Sequence, residues 1–174
     1  MPNGGRRNRT GAGVRIATVP VTAPVDSIDQ VNHVASLPCA QCKSECCGSI
    51  PASTSELRGI VRHLAALPAE EVQRLARMRR APLTCPLVDT ERWRCSVWGV
   101  RPTVCRMYGY VPGMQCPYQP RGRVVSEEAE RRALLATRLT SMAGVLGGDI
   151  GWDQLAPLVE AERNRMEVAE YGGR

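Results

Sequence analysis

Eight cysteines fall into two groups along this chain, and no other feature restricts its folding as much. The first group is compact, with Cys39 and Cys42 in C-x2-C spacing and then the doublet Cys46-Cys47. The second is spread through Cys85, Cys95, Cys105 and Cys116. A C-x2-C pair lets one tight turn aim two thiolates at a single metal. The side chains of an adjacent pair diverge, so the doublet can serve two metals, two irons of one cluster, or one metal and the core. Four cysteines in each half point to sites completed between the halves. One cysteine alone is commonly a small buried hydrophobe, but a clustered set needs a shared cause, and disulfides are rarely maintained in a cytosolic chain. All eight are therefore expected to ligate metal. Zinc, iron and a [4Fe-4S] cluster all accept four thiolates.

Composition makes such a staple useful. There is no Phe, and aromatic residues are only 4% of the chain, so a core must rest on Leu, Val, Ala and Met. These bury less area per side chain than aromatic rings. The formal net charge is +6, with Lys43 the only lysine. Arg6, Arg7, Arg9 and Arg15 stand in an N-terminal stretch without an acid. Residues 1–25 read as a flexible basic arm, able to meet RNA or an acidic protein through charge. Residues 26–174 read as one cysteine-cluster domain. No apolar run is long enough for a membrane span. Arg15, Pro20 and Pro24 interrupt the apolar stretch from Val14 to Val25, and no small-residue cleavage motif follows it. A cytoplasmic protein is expected.

The predicted fold class is mainly α, a small helical domain around an irregular cysteine-rich metal-binding centre. A short helix is expected over 27–36. Ser53-Thr-Ser-Glu56 is a capping-box pattern, and Leu57, Ile60, Val61 and Leu64 follow at helical spacing to about Leu67. Pro68 suits the first position of the next helix, which carries Glu70 and Glu71 early and Arg77, Arg79 and Arg80 late. From Ala81 to Arg123 the periodicity lapses, and loops with short strands are expected. C-terminal helices are expected over 126–171. One opens at Ser126, runs through Leu139, Met142 and Val145, and stops at Gly147-Gly148; the other starts near Asp149 and is interrupted or restarted at Pro157.

Four thiolates around a doubly positive centre leave net negative charge. Arg92, Arg94, Arg101 and Arg106 flank Cys95 and Cys105, and Arg101 and Arg106 are the better placed to offset that charge. Trp93, Trp98, Tyr108 and Tyr110 interleave with these arginines. The mixture suits the shell of a metal site better than a stacking surface for nucleic acid. His33 and His63 lie outside both cysteine groups and read as ordinary helix-face or surface residues. No Ser-His-Asp arrangement, HExxH, P-loop or GxGxxG is present, so a binding role is expected ahead of an enzymatic one.

Taken in order, Cys39-x2-Cys42-x3-Cys46-Cys47, Cys85-Pro-Leu-Val-Asp89, Cys95-Ser-Val-Trp98, Arg101-Pro-Thr-Val-Cys105-Arg106 and Cys116 resemble the YkgJ-type, or CxxCxxCC, family. Its members are described as zinc- or iron-chelating cysteine-cluster proteins. The resemblance implies metal chelation by Cys39, Cys42, Cys46, Cys47, Cys85, Cys95, Cys105 and Cys116, in metal handling, sensing or assembly. A similar pattern in flagellin lysine N-methylases implies one alternative, an iron–sulfur enzyme that uses S-adenosylmethionine. A second alternative is a structural zinc module that binds RNA or a larger assembly through its arginines. Two departures stand out. Three residues separate Cys42 from the doublet where the family name implies two, and Trp98-Gly99 replaces a common Tyr-acid pair.

Overall fold

The structure is a computed structural model that describes residues 46–114, 116, 125–139 and 141–171. The basic arm, the helix expected over 27–36 with His33, and the ligand candidates Cys39 and Cys42 lie outside the described residues. So does most of the end of the central segment, 117–124.

The chain order is β1 (Ile50–Ser53), α1 (Thr54–Ala65), α2 (Ala69–Arg77), β2 (Val88–Asp89), β3 (Arg94–Cys95), α3 (Thr103–Met107), α4 (Glu127–Leu139), β4 (Met142–Leu146) and α5 (Trp152–Tyr171). Single 3-10 turns occupy Trp98–Val100 and Pro112–Met114. Helices predominate, as the sequence implied, and two small antiparallel sheets join them. β1 pairs with β4, setting Ile50 opposite Leu146 and Ser53 opposite Met142 with a bulge between Ala52 and Ser53. β2 pairs with β3, Val88 opposite Cys95.

The capping box forms as read. The Ser53 hydroxyl accepts from Glu56 N at 3.3 Å, and the Glu56 carboxylate accepts from Ser53 N at 2.8 Å. From there α1 buries Ile60, Val61, Leu64 and Ala65 against Leu155 and Val159 of α5 and the inner face of β1 and β4. Full burial of each large aliphatic contributes about 1.5–3 kcal/mol. Arg163 donates to the Leu67 carbonyl at 3.1 Å, and the Trp152 indole donates to the Pro86 carbonyl at 2.8 Å, so α5 grips both the α1–α2 turn and the cysteine-bearing loop. A second, smaller cluster of Met107, Tyr110, Val111, Val125 and Ala129 joins α3 to α4. Among the described residues, Tyr110 is the one aromatic of the largest fully buried side chains, so the core rests on aliphatics as composition required.

Three expectations need correction. Met142 and Val145 belong to a strand, not to the end of a helix. α4 opens at Ser126, whose hydroxyl accepts from Ala129 N, but it stops at Leu139. The spacing of Leu139, Met142 and Val145 fits a helix, yet Gly144 and β-branched Val145 weaken one there. The unpaired edge of β1 then recruits the segment. Gly147-Gly148 accordingly ends a strand. Pro68 takes the N-cap position, and α2 begins one residue later. Finally, α5 runs without interruption through Pro157. That proline removes one bond near the helix start, while Leu155 and Val159 on either side are buried.

Gly147 has φ +81, and a Cβ there would stand 2.8 Å from the Thr84 carbonyl oxygen. Both backbone conformation and space exclude a side chain. Gly147→Ala is expected to destabilise the fold by about 1–3 kcal/mol, measured as a lower urea midpoint. A midpoint equal to wild type would show that the Thr84 backbone yields freely.

Candidate metal centre

Cys85 follows the Ala81–Thr84 turn, in which Leu83 adopts φ +60, and its backbone N donates to the Cys47 carbonyl at 2.9 Å. That bond ties the first cysteine group to the second. Val88 N then returns to the Cys85 carbonyl, and β2 leads into a tight turn to β3, which carries Cys95. Asp89 shapes the turn, its Oδ1 accepting from Glu91 N at 3.1 Å and Arg92 N at 2.9 Å. Cys105 lies on α3. The N-terminus of that helix is fixed by Glu56, whose Oε1 accepts from Thr103 N at 2.7 Å and from the Thr103 hydroxyl at 2.8 Å. The capping box of α1 is thus also the anchor of the helix that bears Cys105.

These connections bring Cys46, Cys47, Cys85, Cys95 and Cys105 to the lining of one cavity. Its interior offers about 70 Å³ to water-sized molecules. Ile50, Val88, Val104, Trp98 and Tyr108 supply the apolar walls, and Arg101 is the one charged side chain among the described lining residues. Cys116 is buried but does not line the cavity. No disulfide joins any two of the six described cysteines. Among the described residues no three Cys, His, Asp or Glu side chains are already gathered into a metal-binding group.

Three of these thiols, Cys46, Cys85 and Cys105, are held in their neutral form. A hydrogen bond with Cys47 and then burial push Cys46 up, and burial pushes Cys85 up. Burial pushes Cys105 up to about 12; the neighbouring Cys85 and Cys95 add to the shift, and Arg101 opposes it. A cation among these sulfurs would reverse the balance, because a coordinating thiol is deprotonated outright. The donor chemistry fits a soft or borderline metal. Thiols with no carboxylate among the described lining residues suit zinc, iron or an iron–sulfur centre, and do not suit calcium or magnesium.

The arginines divide more sharply than their spacing suggested. Arg101 is 6% exposed, its guanidinium lies 3.3 Å from the centroid of the Trp98 ring, and its Nε donates to the Trp98 carbonyl at 2.9 Å. Arg106 donates to the Thr103 hydroxyl at 3.1 Å. Arg92 turns away from the cysteines to Glu71 at 2.8 Å. Arg94 is exposed on β3. Of the aromatics, Trp98 and Tyr108 line the cavity, whereas Tyr110 is buried in the second cluster. His63 remains on the α1 face, a ring nitrogen 3.3 Å from the Ser96 carbonyl.

The sequence reading missed the group that braces this hairpin. Arg74 on α2 reaches Glu71 at 2.9 Å, Asp89 at 2.6 Å and Glu91 at 2.6 Å. Arg80 donates to the Leu75, Met78 and Val88 carbonyls, closing the C-terminal end of α2 against β2. Burial raises the Asp89 carboxyl, but hydrogen bonds led by Arg74 outweigh it and leave the group below its usual range. The signal available in sequence was an acid set directly after the Cys85-Pro-Leu-Val run.

A family model described as "Putative zinc- or iron-chelating domain", CxxCxxCC, matches residues 38–133. The chain belongs to this family. The CxxCxxCC match takes in both cysteine groups, the cavity they line and the first half of α4. No curated protein and no solved structure matches the chain. Among the described residues no helix is long and apolar enough to cross a membrane.

The Arg74 group sets an acid-stability test. Its hydrogen bond and charge, with help from Arg92, hold Glu71 at about 2, below an ordinary value of 4.5. A depressed carboxyl stabilises the fold above its unfolded pKa and loses that contribution as pH falls through the folded value. The stability advantage of wild type over Glu71→Gln should therefore be complete above about pH 4.5 and vanish by about pH 2. Urea unfolding of both proteins across that range measures it. A difference that does not change with pH would break the assignment.

Proposed function

We propose that this chain chelates zinc or iron through the thiols of Cys46, Cys47, Cys85, Cys95 and Cys105, with Cys39 and Cys42 completing the set. One observation carries the reading: cysteines from four separate stretches of chain line a single apolar cavity. Buried thiols scattered for packing alone have no reason to share one space. Membership of the CxxCxxCC family supports the same chemistry. Cys116 is left out of this donor set because it does not line the cavity.

When bound, the metal would draw the thiols into their ionised form and supply a centre of positive charge beside Arg101. The cysteines do the holding. The Glu56 anchor, the β2–β3 hairpin and the Cys47–Cys85 backbone bond place them, and the walls around Trp98 and Tyr108 limit water. The number of thiols exceeds the four that one zinc or one [4Fe-4S] cluster takes, which favours more than one ion or cluster. A role in metal handling, sensing or assembly follows from a site built to hold its contents.

Elemental analysis and an absorption spectrum of the anaerobically purified chain test this directly. Stoichiometric zinc in a colourless protein, or iron with visible thiolate-to-iron absorption, is the expected outcome. Serine at Cys85, Cys95 or Cys105 should lower retention under chelator challenge by at least about 10-fold, the lower end of the range for groups one shell further out. Cys116→Ser should stay near wild type. A metal-free wild type, or serine variants that hold metal as wild type does, would overturn the proposal.

A further inference from the structure

We infer that Arg101 is a positioning residue for the metal centre: its fixed positive charge, held against Trp98, neutralises the thiolates and so sets how tightly the site keeps its metal. This inference rests on the chelating function proposed above. Three observations carry it. The guanidinium is almost wholly buried, at 6% exposure, although such a group stays charged in any protein and is costly to desolvate. It faces the cavity that five of the described cysteines line, and the described lining residues include no carboxylate. And it is pinned twice, by the Trp98 ring at 3.3 Å and by the Trp98 carbonyl at 2.9 Å, so its charge is not free to swing to solvent.

The charge reaches both cysteine groups. Arg101 lines the same cavity as Cys46 and Cys47 of the first and Cys85, Cys95 and Cys105 of the second. Four thiolates around a dication carry a net charge near minus two, and a cation in the wall lowers the cost of burying that excess. Arg74, Arg80 and Arg92 do not line the cavity, and they are engaged at α2 and the Asp89 turn. Neutralisation by Arg101 also predicts a spectroscopic effect. A positive charge beside sulfur stabilises its lone pairs, so moving an electron from sulfur to metal takes more energy. Removing the charge shifts that transition to longer wavelength.

The test compares full-length wild type, Arg101→Gln, Arg101→Met and Arg101→Lys, each loaded with zinc for release into a competing chelator and with cobalt(II) for the spectrum. Both uncharged variants should release zinc about 10-fold to 100-fold faster, the scale of groups behind the ligands, and show thiolate-to-cobalt bands at longer wavelength. Arg101→Lys should restore the band position and most of the retention. A variant that merely loosened the fold would lose helical signal and would not be rescued by lysine. If the wild type binds metal but Gln and Met variants match it in release and spectrum, this inference fails alone. It also fails if the folded lysine variant behaves like them. If the wild type takes up neither ion and carries no iron as purified, the chelating function fails and carries this inference with it.

Discussion

The ladder between β1 and β4 is the contact on which the rest depends. It joins Ser53 to Met142 and so closes a loop holding α1, α2, the β2–β3 hairpin, α3 and α4. Closing so long a loop costs entropy, although that cost grows only slowly with length. The return comes from what the closure lays side by side. α1 leaves β1 directly and α5 follows β4, so the pairing sets the two helices against each other over Ile60, Leu64, Leu155 and Val159. The cysteine-bearing loops are then held between this frame and the smaller cluster under α3 and α4. Neither hairpin strand nor α3 is long enough to be stable alone. Their positions are borrowed from the frame.

Arginine carries most of the fine placement, and each of the central arginines has a different task. Arg74 gathers three carboxylates and fixes the turn between Cys85 and Cys95. Arg80 satisfies carbonyls at the end of α2, where orphan acceptors gather. Arg101 is sunk into the cavity wall. A planar fork of donors suits all three tasks, which lysine would serve less well. The near absence of lysine from the chain is consistent with this use.

Much of this was legible in the residues themselves. The capping box at Ser53-Glu56, the apolar stripe of α1 and the Ser126 start of α4 rest on local rules, and local rules are visible in sequence. The two cysteine groups pointed to sites completed between the halves, and Cys46, Cys47, Cys85, Cys95 and Cys105 do line one cavity. Two kinds of fact were not legible. The β4 strand depends on a partner about ninety residues away, and Met142 to Val145 carry a period that suits helix as well as strand. Likewise, nothing near Arg92 in the sequence tells that Glu71 lies beside it. Spacing along the chain suggested the thiols, but α2 offers a carboxylate at closer range.

Glu56 commits its two oxygens to two different parts of the chain, Oε2 to Ser53 and Oε1 to Thr103. Four donors converge on one carboxylate, and burial, which would raise that group, is outweighed by their bonds. A glutamine of the same shape has only one acceptor oxygen. It would have to serve either the start of α1 or the start of α3, presenting an NH2 group to the donors of the other. The isosteric exchange at this position is therefore not conservative, since it forces two helix starts to compete for a single atom. Substitutions at Ser53 and Thr103 share this acceptor as well, so their energetic effects should not simply add.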